Sequence, residues 1–230
     1  VLKENMILPP ENTVVECTQF ADGYTWGPVK FADVRISGEQ AQSVPIQVIG
    51  DPAFPASEIP NECSHSGSAE NTVPTFGANG LIGVGLFKGD CGTLCSGSGN
   101  NGFYYNCSPC DNGTQSVVMP ETLQVQNPVA MFANDNNGII IQLPSVPAGG
   151  AASVTGAMVF GIGTESNNGL GSAKVYTVDN TTGMFTTRFR DQDFTQSLLD
   201  SGSSVLFFAD PDEVPGAPNP NSIPVCSDSS

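Results

Sequence analysis

The sequence has 230 residues, and its 23 acidic residues against 7 basic ones give a formal net charge of −16. The length suits one large β domain or two smaller ones. So acidic a chain is repelled by nucleic-acid phosphates and by anionic membrane surfaces, and we expect no nucleic-acid partner. The acidity is typical of extracellular proteins. It also fits a protein that functions at low pH, where protonation of carboxylates reduces the repulsion between them.

The composition disfavours helices and favours short strands. With 26 Gly and 18 Pro, no window of the sequence holds three helical turns of strong helix formers. Strands this short, without helical patterns between them, predict an all-β sandwich or barrel. The strands are predicted over residues 29–36, 44–49, 80–86, 115–119, 139–143, 157–162, 173–178, 184–188 and 197–199.

Three segments interrupt this strand pattern. Residues 88–114 are rich in Cys, Gly and Asn and indicate an insertion held by disulfides. Residues 145–155 indicate a linker, and the chain from Pro211 onward indicates an exposed tail. No apolar run approaches the ~20 residues of a membrane span. Because no signal peptide begins at Val1, export requires a targeting segment upstream.

The seven cysteines bear on the compartment. They stand at scattered spacings among Gly, Asn and Ser, which favours disulfides in an oxidising, exported environment. The spacing assigns no pairs, and an odd number implies a free thiol or a partner outside this sequence. The alternative is a zinc site, because a C-x3-C pair is followed by a C-x2-C pair. The cysteines are Cys17, Cys63, Cys91, Cys95, Cys107, Cys110 and Cys226.

The strongest candidate for chemistry is a turn late in the sequence. Residues 197–208 read Ser-Leu-Leu-Asp-Ser-Gly-Ser-Ser-Val-Leu-Phe-Phe, which places Asp200-Ser201-Gly202-Ser203 between two apolar runs. Gly202 lets the backbone approach closely, and nearby hydroxyls and amides can hydrogen-bond the Asp200 carboxylate. The alternative is an ordinary turn aspartate, because Asp-Ser-Gly is common turn chemistry.

This turn resembles the catalytic loops of pepsin-like aspartic peptidases, which read hydrophobic-hydrophobic-Asp-Thr/Ser-Gly-Ser/Thr. In that family two such aspartates share one proton, and one activates a water while the other protonates the scissile carbonyl. The resemblance implies that Asp200 is one member of the pair, supported by Ser201, Gly202 and Ser203. It implies no cofactor and no metal.

Three further segments resemble the same family, and they occur in the family's order. Residues 20–29 are similar to the tip of the flap hairpin that closes over substrate, which implies substrate contacts by Phe20, Asp22, Gly23 and Tyr24. Residues 78–85 are similar to the Asp-Gly-Ile-Leu-Gly-Leu segment, and residues 156–161 to a strand early in the second lobe. Together these resemblances imply an all-β, bilobal pepsin-like fold.

The sequence departs from the family at both ends. Phe20 takes the place of the flap tyrosine and lacks its hydroxyl, and Asn79 stands where many members have Asp. No Asp-Thr/Ser-Gly precedes the flap, so the resemblance implies a fold truncated before Val1 and after Ser230. The implied organisation is most of an N-terminal lobe (1–144, with the flap at 17–38 and the insertion at 88–114), a linker (145–155) and the first part of a C-terminal lobe (156–230).

Three functions stay open at this point. The first is an aspartic-type endopeptidase acting on an extended peptide or protein substrate, with this chain supplying one aspartate and inactive alone. The second is an inert pepsin-like scaffold that binds a peptide or surface partner. The third is a generic acidic β-sandwich of the cell surface. The sequence also resembles an uncharacterised bacterial family of exported proteins, which implies export and leaves room for a lipid anchor upstream.

Overall fold

The computed structural model describes residues 14–107, 113–189 and 191–202. Regular structure in these residues is mostly strand, and the helices have only three to five residues each, which confirms the all-β class. The helices are α1 (Asn61–Ser64), α2 (Val73–Phe76) and α3 (Thr93–Gly97), with 3₁₀ turns at Ala56–Glu58 and Val129–Met131. The strands are β1 (Val14–Gln19), β2 (Gly23–Ile36), β3 (Glu39–Gln47), β4 (Ser68–Ala69), β5 (Tyr104–Asn106), β6 (Gln115–Ser116), β7 (Ile139–Gln142), β8 (Ala157–Phe160), β9 (Phe185–Phe189) and β10 (Gln192–Ser197).

The main sheet has the strand order β3-β2-β1-β5-β6, and the short β4 adds to β2 in parallel. The long strand β2 pairs with β1 at its start and with β3 at its end. The turn from β2 to β3 consists of Ser37 and Gly38, both with positive φ, 49° and 94°. Two successive residues with positive φ make the tight turn whose twist matches that of paired strands. The sequence therefore fixes the register of this hairpin locally.

Apolar side chains cover both faces of the main sheet. Alternation along β1 sends Val15 and Cys17 to one face and Val14 and Glu16 to the other. The first core cluster consists of Val15, Cys17, Tyr24, Trp26, Cys63, Tyr105 and Cys107. The second core cluster, on the opposite face, consists of Val29, Cys95, Tyr104 and Met119. A third cluster beside β3 contains Ala41, Val44, Val129 and Phe132.

The chain forms two compact units that divide between Ala173 and Lys174. The first unit contains the main sheet and the hairpin β7–β8, and residues 145–155, predicted as the linker, connect the two strands of that hairpin. The second unit contains the hairpin β9–β10. In the part of the chain that is described, no helix is long and apolar enough to cross a membrane.

Several strand predictions are wrong. Residues 80–86 and 173–178 form no strand, and many of their apolar side chains are exposed, including Leu81 at 66% and Val175 at 73%. The strand predicted over residues 197–199 ends at Ser197. Alternating apolar residues become a strand only where neighbouring strands and packing partners cover them. Three glycines within residues 80–86 weaken a strand further.

Candidate functional site

The predicted flap, residues 17–38, covers the end of β1 and all of β2, and its four predicted substrate contacts lie at the hairpin tip, residues 20–24. The Phe20 amide donates to the Gly23 carbonyl at 2.8 Å and closes the turn. Asp22 is exposed and Phe20 is half-buried against Phe76, with ring centroids 6.1 Å apart. Tyr24 is buried in the first core cluster, because alternation along β2 turns it inward beside Trp26. Of the four residues predicted to contact substrate, Phe20 and Asp22 thus have side chains that solvent or a ligand reaches.

A second segment holds the hairpin tip in place. The disulfide Cys17–Cys63 joins β1 to α1, and β4 pairs with β2 at the tip itself, Gly23 opposite Ser68. The Ser66 hydroxyl donates to the Gly23 carbonyl at 3.0 Å. A Cβ atom at Gly23 would lie 2.5 Å from the Ser68 carbonyl oxygen, so only glycine allows this approach. The tip is therefore fixed by covalent, backbone and side-chain contacts.

The predicted catalytic turn lies in the second compact unit, directly after β10. The Gly202 amide donates to Asp200 Oδ1 at 2.9 Å, and Ser201 lies in the turn between them. Leu198 and Leu199 are exposed at 62% and 87%, so no apolar strand encloses the turn on its entering side. Ser203 lies outside the described residues. The structure thus brings Asp200, Ser201 and Gly202 together, while the hairpin tip belongs to the first unit.

The structure also contains a pair of carboxyl groups that the sequence analysis missed. Glu16 is 1% exposed, and on β1 it stands in register with Gly27 of β2 and Tyr104 of β5. The Tyr104 hydroxyl donates to Asp90 Oδ1 at 2.6 Å and accepts the Val125 amide at 2.8 Å. Glu16 Oε2 is buried with no hydrogen-bond partner among the described residues.

The electrostatics of Glu16 differ from those of a surface carboxylate. Burial raises the pKa of Glu16 well above its usual range, and the adjacent Asp90 carboxyl raises it further. The Thr18 hydroxyl acts in the opposite direction. Burial likewise raises the pKa of Tyr104, and the negative charge of its acidic neighbours adds to the effect. Glu16 therefore stays protonated to a higher pH than a surface glutamate does.

Glu16 is visible in the sequence once β1 is known to be a strand. In Val14-Val15-Glu16-Cys17 the acid takes the same face as Val14, where an apolar residue is expected. A charged type at such a position is a recognisable signal of a buried functional or structural acid. Asp90 carries no comparable signal, because it stands beside Gly89 in a segment without regular structure.

Three cysteines of the 88–114 insertion are disulfide-bonded. Cys91 and Cys95 are joined by a disulfide, and Cys107 is disulfide-bonded as well. Sulfur atoms in disulfides do not ligate zinc, so the alternative of a zinc site is wrong for these three residues. Together with Cys17–Cys63, the disulfides indicate an oxidising, exported environment. Cys110 and Cys226 lie outside the described residues.

Comparison with known families gives one match. The model of a family described as a protein of unknown function (DUF3443) matches residues 3–230. The chain belongs to this family. No curated protein matches the sequence, and no solved structure matches the chain. The DUF3443 match extends over both compact units, so the hairpin tip, the Glu16–Asp90 pair and the Asp200 turn all lie within the family region.

Proposed function

We propose that the chain supplies one catalytic carboxylate, Asp200, to an aspartic-type endopeptidase. The observation that supports this proposal is the hydrogen bond from the Gly202 amide to Asp200 Oδ1, at 2.9 Å. An amide aimed at a carboxylate stabilises the ionised form and fixes the orientation of its oxygens. Both properties are needed in a group that removes a proton from a water molecule.

The chemistry requires a second carboxylate close to Asp200. Two carboxyl groups at short range hold one proton between them, because both cannot ionise together. The ionised member then activates water, and the protonated member donates to the carbonyl oxygen of the peptide bond. In the sequence, Asp200-Ser201-Gly202 is the single Asp-Ser/Thr-Gly. The proposal therefore needs a second loop of this kind outside the 230 residues.

The substrate in this proposal is an extended peptide. Peptides of this kind bind by adding backbone hydrogen bonds to exposed strands, with side chains alternating between pockets. Phe20 and Asp22 at the hairpin tip are the residues proposed to contact it, since both are accessible. Phe20 offers an apolar ring, and Asp22 offers a negative charge that favours basic side chains nearby.

A second candidate is a binding scaffold without catalysis. The observation that favours it is the attachment of the hairpin tip through β4 and the Cys17–Cys63 disulfide. A lid that closes over a substrate has to move, and a tip with backbone pairing and a covalent tether has less freedom to do so. A preorganised tip of this kind is suited to binding a peptide or a surface partner without turnover.

The deciding experiment is a cleavage assay on the product of the complete open reading frame. An unstructured protein substrate is incubated from about pH 2 to 7, with and without a statine-type transition-state inhibitor. The variant Asp200→Asn is compared with Asp179→Asn, a matched turn aspartate of the same unit whose carboxylate accepts the Thr182 amide at 2.7 Å.

Three results together support the endopeptidase. Activity is bell-shaped in pH, the inhibitor blocks it, and Asp200→Asn abolishes it while Asp179→Asn retains it. A folded protein that cleaves nothing at any pH contradicts the endopeptidase. Binding of unstructured peptide by that inactive protein, unchanged in Asp200→Asn, supports the scaffold.

A further inference from the structure

Five asparagines in the sequence are followed directly by glycine. In such a pair the glycine backbone nitrogen can attack the side-chain carbonyl carbon of the asparagine, because glycine has no Cβ atom to obstruct the approach. The attack also needs an asparagine side chain that rotates freely. The pairs are Asn79-Gly80, Asn101-Gly102, Asn112-Gly113, Asn137-Gly138 and Asn168-Gly169, and Asn112 lies outside the described residues.

Three of these asparagines are held by hydrogen bonds of their own side chains. Asn101 and Asn168 are buried, and the side-chain amide of each both donates and accepts, at 2.7–3.1 Å. Asn137 is exposed, but its side-chain carbonyl accepts the Ile162 amide at 2.7 Å and its NH₂ group donates to the Ile162 carbonyl at 2.9 Å. These hydrogen bonds have to break before any of the three side chains can rotate towards the following glycine.

The pair Asn79-Gly80 lacks these restraints. Asn79 is exposed and lies shortly after α2, in a segment without regular structure. Within the described residues, neither Asn79 nor Gly80 makes a hydrogen bond. A Cβ atom placed on Gly80 would have nothing within 4 Å, so the space around this backbone is open. In the described part of the chain, no contact therefore opposes rotation of the Asn79 side chain towards the Gly80 nitrogen.

We propose that Asn79 is a site of spontaneous deamidation in the folded protein. The Gly80 nitrogen loses its proton to base and forms a bond to Asn79 Cγ, and the side-chain nitrogen leaves as ammonia. Water then opens the cyclic imide at one of its two carbonyl carbons. Opening at the main-chain carbonyl gives isoaspartate, and opening at the side-chain carbonyl gives aspartate. One water is consumed and one ammonia is released, and no step involves the Asp200 turn.

Both products change the surface of the protein at this point. Each adds a negative charge to a chain whose formal net charge is already −16. The charge appears beside Leu81 and Ile82, which are 66% and 52% exposed. Isoaspartate also lengthens the main chain by a carbon atom between α2 and these two apolar side chains. Because Asn79 makes no hydrogen bond within the described residues, we expect the free energy of unfolding to stay the same after deamidation.

The contacts also predict the relative rates of deamidation at the described pairs. Glycine follows the asparagine in each pair, so the effect of the next residue on the reaction is the same. The three held asparagines react only from a locally open state, and breaking their hydrogen bonds reduces the population of that state roughly tenfold or more. We therefore expect Asn79 to react roughly tenfold or more faster than each of them in the native protein.

The test measures deamidation at each pair by peptide mass spectrometry. The native protein is incubated for several days in mildly alkaline buffer, and a deamidated peptide is heavier by about 1 Da. A parallel incubation in guanidinium chloride with a reductant gives the rates in the unfolded chain. We expect Asn79 to react at similar rates in both incubations, and Asn101, Asn137 and Asn168 to react more slowly in the native protein. A native rate at Asn79 as low as the rates at these three would overturn the proposal.

Two variants identify the groups that react. Gly80→Ala adds a methyl group to the attacking residue, where the structure has open space, and should slow deamidation at Asn79 while the protein still folds. Asn79→Gln removes the reacting side chain, so the acidic form that anion exchange separates from the incubated wild type should be lost. The proposal is refuted if that form accumulates equally in Asn79→Gln, or if Gly80→Ala deamidates as fast as the wild type.

Discussion

Two of the disulfides, Cys17–Cys63 and Cys91–Cys95, close loops of very different length, and this predicts unequal contributions to stability. Cys17–Cys63 spans a sequence separation of 46, whereas Cys91–Cys95 spans only 4. In the chain-entropy description, the cost of closing a loop in the unfolded chain grows with the logarithm of its length. This relation assigns about 4 kcal/mol to the long loop and about 2 kcal/mol to the short one.

The perturbation is a pair of double variants, Cys17→Ala/Cys63→Ala and Cys91→Ala/Cys95→Ala. Removing both sulfurs in each case avoids leaving a free thiol that could exchange with other cysteines. Cys17 and Cys63 are both 0% exposed, so their removal also leaves a small void in the first core cluster. This second effect has the same sign as the first. We expect the first variant to lose about 2 kcal/mol more free energy of unfolding than the second.

The assay is urea unfolding under non-reducing conditions, with free energies from linear extrapolation. Hydrogen exchange of the Gly23 and Glu70 amides adds a local measure, because Glu70 donates to the Tyr24 carbonyl beside the tether. These amides should lose protection in the first variant and keep it in the second. Equal losses of stability in the two variants, or a larger loss on removing Cys91–Cys95, would refute the reasoning.

Two further variants test the packing around the candidate sites. Gly23→Ala should destabilise the protein by about 1–3 kcal/mol, because the new Cβ would lie 2.5 Å from a carbonyl oxygen. The control in the same unfolding assay is Gly80→Ala, because nothing lies within 4 Å of a Cβ at that position. Tyr104→Phe should cost about 1–3 kcal/mol, because the buried Tyr104 hydroxyl is the partner of both Asp90 Oδ1 and the Val125 amide. A Tyr104→Phe variant with the wild-type free energy of unfolding would show that water hydrogen-bonds both groups in its place.

Prediction from sequence succeeds where local signals agree with tertiary contacts. The predicted strands 139–143 and 157–162 form the paired hairpin β7–β8. Both are short apolar runs with turn residues next to them on at least one side. The predicted strand 184–188 is found as β9, where it pairs with β10. In each case the neighbour along the chain is also the neighbour in the sheet. Local pattern is then sufficient, because the partner strand is always present.

Prediction fails where the partner is distant or absent from the local pattern. Residues 80–86 alternate well but find no strand to pair with in the described structure, and Leu86 is 69% exposed. The reverse error concerns β1, the strand between β2 and β5, which was not predicted. Its polar members Glu16 and Gln19 obscure an apolar alternation, and its position in the sheet depends on β5, far along the chain.

The candidate sites differ in the same way, because one depends on local contacts and the other on contacts between distant parts of the sequence. The Asp200 turn could be predicted because its geometry is local, and the expected hydrogen bond from a neighbouring amide is present. Its catalytic role stays a prediction, since a dyad depends on a second group that no local pattern supplies. The Glu16–Asp90 pair could not be predicted, because 74 residues separate its members in the sequence and only the packed sheet brings them together.

The pH dependence of the protein results from carboxyl groups with opposite shifts. Protonation of Glu16 stabilises the fold as the pH falls towards the ordinary carboxyl range, and a net charge of −16 loses self-repulsion in the same direction. Asp51 has the opposite effect on stability, because its contact with Lys30 at 2.7 Å lowers its pKa. The stabilisation from this contact is lost as the pH falls through the folded-state pKa of Asp51. Greatest stability is therefore expected on the acid side of neutrality and above the range in which Asp51 takes up its proton.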